Sequence, residues 1–257
     1  MIIDSFDDKS PALISPKDAL SKNIFDTASN YKIDTFIITF SGQLFDELVK
    51  RDLVELLDEK LAFGSAAGKN RVYRIPGTNI GVFLSGIGSM MASGMIEELY
   101  AVFGCKKYVV FGSCGALVDL PEGRLIIPSE AYRDEGMSYH YVKASDYITI
   151  KNSNKLAKIF DELEVDYMLG KVWTTDAFYR ETVNNRDARI ADGCLCVEME
   201  CSALQAVCDF RGLDLYHFVY AADSLDGEWT KRILGHLELD HRIAYFYLAK
   251  QIAEYIK

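Results

Sequence analysis

The chain has 257 residues, 49% of them hydrophobic, with 28 Lys and Arg against 38 Asp and Glu and a formal net charge of -10. The apolar share supports a packed core in one large domain or two small ones and excludes long disorder. The acidic balance excludes binding that works by neutralising nucleic-acid phosphates, so no nucleic-acid partner is expected.

In chain order, residues 1–30 are irregular, with Pro11 and Pro16, and open on the acidic MIIDSFDDKS. That start lacks the basic end and apolar run of a signal peptide, so a cytoplasmic location is expected. The segment reads as an N-terminal arm wrapping the domain or a neighbouring subunit, or as a frayed tail. Residues 31–257 read as a single domain. Apolar, β-branched and aromatic runs predict strands over Thr35–Phe40, Ile80–Ser85, Lys107–Gly112, Arg124–Ile127 and Leu215–Ala221. Amphipathic spacing predicts helices over Leu44–Leu57, Met90–Phe103, Ser153–Leu163, Glu200–Phe210 and Glu238–Ile256. The uncharged stretch Asn79–Ile96 is long enough to cross a bilayer, but its four glycines and three serines favour strand, turn and helix. No membrane partner is expected. Apolar strands separated by helices imply an α/β fold with a largely parallel sheet covered on both faces. The six cysteines form no CxxC pair and the four histidines are scattered, which predicts buried reduced thiols and no metal.

Four clusters stand at predicted strand ends, where open α/β sheets usually bind ligands. In Phe111-Gly-Ser-Cys-Gly-Ala116, glycines let backbone N–H groups approach an anion while Ser113 adds a hydroxyl; a tight structural turn is the other reading. Ser85-Gly-Ile-Gly-Ser89 offers either a helix start facing an anion or carbonyl, or glycines needed for packing. Val197-Glu-Met-Glu200 places two carboxylates in an apolar passage, where they need partners. The vicinal hydroxyls of a sugar would serve, and so would the N–H groups of the following helix. Asp223, ending an apolar run, is a proton donor if burial raises its pKa, or else a turn residue.

Together GSCGA, TTDAFY, VEME and the late Asp223 resemble the nucleoside phosphorylase superfamily, from about Phe36 to the C-terminus. The resemblance implies a three-layer α/β/α fold around a central twisted mixed sheet, assembled as a homo-oligomer of dimers or trimers of dimers. It implies phosphorolysis of ribonucleosides to free base and ribose 1-phosphate, with inorganic phosphate as co-substrate and no metal or organic cofactor. By position, Ser113 would bind phosphate beside Gly115, and Phe178 and Tyr179 would pack on base and sugar. Val197 and Glu198 would line the base pocket, Met199 would touch the ribose, and Glu200 would grip its 2′ and 3′ hydroxyls. Asp223 would protonate N7 of a departing purine, which favours purines over uridine. Arg133–His140 and Arg180–Thr182 look more like uridine phosphorylases, in which an arginine such as Arg180 addresses a pyrimidine carbonyl.

Two phosphate-binding arginines of such enzymes have no counterpart here. One falls on Val110; the other falls in Ser41-Gly-Gln-Leu-Phe-Asp-Glu47, which is acidic. Losing two guanidinium partners weakens a dianion's binding, unless Lys60, or Arg71 or Arg74 of a neighbouring subunit, compensates. Related nucleosidases lack both arginines and use a glutamate to activate water. Glu47, shortly after Gly42, has about that spacing, and it reads equally as a plain helix residue. A catalytically silent nucleoside-binding protein is the third reading.

Overall fold

The computed structural model describes residues 1–65, 68–231 and 239–256. Two short helices, α1 (Pro16–Ala19) and α2 (Lys22–Ala28), precede strand β1 (Thr35–Thr39) and helix α3 (Gly42–Lys50). The short strands β2 (Glu55–Leu56), β3 (Ala62–Ser65), β4 (Gly68–Arg71) and β5 (Tyr73–Arg74) follow. Next come β6 (Ile80–Leu84), α4 (Ser89–Phe103), β7 (Lys107–Ala116), β8 (Leu125–Asp134) and β9 (Tyr147–Thr149). After α5 (Ser153–Glu162) the chain runs through β10 (Tyr167–Thr175), α6 (Val183–Ala191) and β11 (Cys194–Glu198). Helix α7 (Cys201–Arg211), strand β12 (Asp214–Ser224) and helix α8 (Leu239–Tyr255) complete it. Glu238, the expected first residue of α8, lies outside the described residues.

Period-two alternation in the central strands sets the layers. Ile37, Val109, Phe111, Tyr216 and Phe218 face α3, α5 and α8, where they meet Leu44, Leu48, Leu156, Phe160, Phe246 and Ile252. Phe36, Ile38, Tyr108, Val110 and Leu215 face α2, α4 and α7, packing with Ala28, Ile96, Leu99, Leu204 and Val207. The result is the expected three-layer α/β/α arrangement.

The sheet is mixed rather than largely parallel. Its order is β11-β10-β8-β12-β7-β1-β6-β5-β2, and β11 also pairs with β7. β1 is parallel to both β6 and β7, whereas β12 meets β8, and β11 meets β7, antiparallel. The β11–β7 contact joins β7, β12, β8, β10 and β11 into a closed ring. Cys114, Ala116, Ile126, Ala131, Val172, Cys196 and Val219 of these strands pack in one apolar cluster with Cys201 and Ala206 of α7. All six cysteines are buried and free.

Several expectations need correction. The GSCGA segment is not a turn: Lys107–Ala116 is one continuous strand, because β12 pairs along its whole length and β11 takes its end. Helix α3 stops at Lys50 rather than Leu57. Asp52 adopts φ 54° and the Leu53 N–H donates to the Leu48 carbonyl, closing the helix before Glu55–Leu56 pairs with β5. Within residues 1–30, Thr27 and Ala28 of α2 are buried, and Leu20 and Ile24 pack on the core, whereas residues 1–19 are largely exposed.

Candidate active site

β1, β7, β11 and β12 deliver their C-terminal ends to one place, and a cavity of about 350 Å³ opens there. That volume lies near the lower end of the ~300–1,000 Å³ usual for small-molecule sites. One side is formed by Thr39, Phe40 and Ser41 after β1 and by Gly112–Gly115 of β7. The parallel register sets Thr39 beside Phe111, so Ser41 and Ser113 each stand two residues past a paired position. Ser113 is exposed and its hydroxyl has no hydrogen bond among the described residues. A Cβ on Gly115 would stand 2.5 Å from Leu225 Cδ1 and 3.3 Å from Asp223 Oδ1, so a larger residue here would press on the side chains of the cavity wall.

β12 carries Asp223. Its pairing with β7 shifts register between Ala221 and Asp223, a bulge that turns Ala222 and Asp223 alike towards the cavity. The Asp223 carboxylate is buried and accepts from Trp229 Nε1 at 2.9 Å on Oδ2; its Oδ1 has no partner among the described residues.

The third wall runs from β11 into α7 through Val197, Glu198, Met199 and Glu200. Both readings of the two carboxylates apply, one to each. Glu198 Oε2 accepts from the backbone N–H groups of Glu200 and Cys201, both at 2.7 Å, and Oε1 takes the Thr174 hydroxyl. Glu198 therefore holds the start of α7. Glu200 instead reaches across to α4, where Oε1 accepts from Gly88 N at 2.6 Å, and Ser89 Oγ donates to the Met199 carbonyl at 2.7 Å. Gly88 precedes α4 with φ 99°, a conformation that aims its N–H at the carboxylate. Burial pushes both carboxyls up, Glu198 further by the Glu200 charge and Glu200 by the Asp176 charge.

Phe178 closes the far side, 40% exposed, with Ile87 opposite. Eight expected residues thus meet in one cavity: Ser113, Gly115, Phe178, Val197, Glu198, Met199, Glu200 and Asp223. Four do not. Tyr179 is 93% exposed, and Arg180 projects to the surface beside it. Gly42 and Glu47 belong to α3, outside the lining. Glu47 is held by Arg51 at 2.7 Å and Lys50 at 3.3 Å, and the Arg51 bond keeps its carboxyl below the usual range. An ionised, ion-paired glutamate outside the cavity is badly placed to activate water there. Arg71 and Arg74 pair with Glu59 and Glu55. Arg133 is buried and spends its guanidinium on Ser138 Oγ and the carbonyls of Val142 and Lys143, ordering its own loop.

Two charged lining residues escaped the sequence reading. Glu181, just past Phe178, has its carboxyl pushed up to about 7, by burial first and then by the Asp223 charge. Arg242 enters from α8; its Nη1 donates to Ser41 Oγ at 3.2 Å and to Gln43 Oε1 at 3.1 Å. The sequence carries no local signal for either role, since 201 residues separate Arg242 from Ser41. Among the described residues no group of His, Cys, Asp and Glu has the arrangement of a metal site, and no helix is long and apolar enough to cross a membrane.

A family model described as the phosphorylase superfamily matches residues 34–240. A purine nucleoside phosphorylase DeoD-type of Aliivibrio fischeri is 33% identical over 132 residues, which cover 50% of this chain and 55% of that protein. The chain thus spans about half the length of that relative. The solved uridine phosphorylase of Vibrio fischeri ES114, complexed with 6-hydroxy-1-naphthoic acid, is 25% identical with a TM-score of 0.68, covering 88% of this chain and 93% of its own. Futalosine hydrolase of Helicobacter pylori shares the fold, with a TM-score of 0.68 at 18% identity over 86% of this chain and 98% of its own.

Proposed function

The chain belongs to the phosphorylase superfamily, and on that premise we propose that it cleaves the N-glycosidic bond of ribonucleosides, purines ahead of uridine, with inorganic phosphate as nucleophile. One observation carries this reading. Glu200, Asp223 and Phe178 line the same cavity, so a ribose held at Glu200 has its base against the Phe178 ring and within the field of Asp223. The relatives' names agree, being purine nucleoside phosphorylases in the main.

The chemistry follows from charge. As the C1′–N bond breaks, the ribose becomes cationic and the base anionic. Glu200 accepts hydrogen bonds from the two ribose hydroxyls, and its negative charge favours the cationic sugar. Asp223 passes a proton to the base nitrogen, drawn from the Glu181 carboxyl, whose pKa burial and the Asp223 charge push up to about 7. A phosphate oxygen attacks C1′ and forms the new bond, giving free base and ribose 1-phosphate. Ser113 donates its hydroxyl to that phosphate. No step calls for a metal or an organic cofactor.

Water as nucleophile has less support, because Glu47 is ion-paired away from the cavity. A homo-oligomer and a cytoplasmic location remain part of this proposal. Turnover of a nucleoside panel with and without phosphate, with the sugar product identified, tests it. Ribose 1-phosphate formed only with phosphate is expected; free ribose formed at the same rate without phosphate would overturn the nucleophile.

A further inference from the structure

The cation that lines the cavity, Arg242, has no carboxylate partner among the described residues. Arg242 is 5% exposed, lines the cavity beside Ser41 and Ser113, and donates only to two neutral acceptors, Ser41 Oγ and Gln43 Oε1. Its Nε is buried without an acceptor, and among the described residues no carboxylate pairs with it. A guanidinium cannot shed its proton to escape this cost, so a buried one calls for an anion. Nη2 also has no acceptor among the described residues and, unlike Nε, is not sealed from the cavity, so it is the arm of the guanidinium free to meet a phosphate oxygen. The Ser113 hydroxyl, also unpartnered among the described residues, lies on the same wall. Among the described residues nothing else in the lining is cationic.

We propose that Arg242, with the hydroxyls of Ser41 and Ser113, forms the seat of a phosphate-type oxyanion. Helix α8 thereby supplies a charge that Val110 and the Ser41–Glu47 segment do not. The seat rests on the cavity alone; that its occupant is the attacking group rests on the glycosidic cleavage proposed above. The same seat could take inorganic phosphate or a phosphate carried on the nucleoside itself.

Calorimetric titration of the full chain with inorganic phosphate, without nucleoside, tests the seat directly. Wild type should bind saturably, Arg242→Gln at least tenfold more weakly, and Arg242→Lys in between, because a point charge replaces a fork. In phosphate-free buffer Arg242→Gln should melt no lower than wild type, since it removes an unpaired buried charge, and its melting should no longer rise with phosphate. A residue that merely braces α8 would instead lower the phosphate-free midpoint. Equal phosphate affinity in wild type and both variants, or no binding by wild type of either phosphate or a nucleoside 5′-monophosphate, overturns the proposal. Were Arg242→Gln not to fold, the wild-type and Arg242→Lys affinities would decide, and equality would again overturn it. Phosphate-dependent nucleoside turnover whose kcat/KM for phosphate falls in Arg242→Gln identifies free phosphate as the occupant. Tighter binding of the monophosphate, competed by inorganic phosphate and weakened in Arg242→Gln, identifies the carried one. If phosphate binds as expected but no nucleoside is cleaved, the seat stands and the glycosidic reading falls.

Discussion

Asp223 and Glu200 divide the work between the two ends of the scissile bond, and each end can be probed alone. Asp223→Asn keeps the shape and removes the proton, so purine cleavage should fall by about 10²–10⁴ in kcat, the usual contribution of a placed acid. Uridine cleavage should fall far less, since uracil leaves without N7 protonation; steady-state kinetics on inosine and uridine check this, and equal losses would remove Asp223 from the role. Glu200 binds the ribose diol only when ionised, and burial raises its pKa to about 7. Nucleoside affinity should therefore climb as pH rises through that region, and Glu200→Ala should be weak at every pH; titrations at pH 5.5, 7 and 8.5 give the answer. Both carboxylates were legible in the sequence because each closes an apolar strand where a ligand is the natural partner. Glu181 and Arg242 were not, because nothing near either in the chain says which side chains it will face.

Helix α4 contributes to the sugar site through one backbone atom, the Gly88 N–H that meets Glu200. Gly88→Ala leaves space for the methyl group but forces a side chain to φ 99°. A strained position of this kind costs about 1–3 kcal/mol, and relaxing it would swing the N–H away from the carboxylate. The expected result is a lower urea midpoint together with a higher KM for ribonucleosides; a lower midpoint with unchanged KM would show that Glu200 needs no such anchor. The central strands and the helices between them follow from local apolar pattern, and so were foreseeable. The end of α3 was not: Leu53, Val54, Leu56 and Leu57 continue an apolar series that a helix would also satisfy, and the turn at Asp52 decides otherwise. β10 also escaped, being held less by its own composition than by β8 and β11 on either side of it.

For the whole molecule, two sets of buried groups oppose each other as pH changes. His217 is fully enclosed, with Nδ1 unpartnered among the described residues, and burial pushes its pKa down to about 3. The unfolded chain takes up that proton near pH 6.5, so stability is present above about 6.5 and lost as pH falls towards 3, by up to about 1.4 kcal/mol per pH unit. Glu198 and Glu200 act in the other direction: their folded pKa values are raised, so the unliganded protein loses stability as pH rises from about 4.5 through 7 to 8. The two limbs overlap between about pH 4.5 and 6.5, where two carboxyls outweigh one imidazole, so denaturant unfolding of the ligand-free chain should be hardest near pH 4.5, and His217→Leu should flatten the rise below that point. A steep acid limb that survives in His217→Leu would place its origin in other groups. The ring closed by β11 and β7 has a consequence for crowded solutions. It takes those strands out of the sheet's margin, and β2, at the other end, offers only Glu55 and Leu56. A stranger's strand finds little unpaired backbone at that end of the sheet to copy.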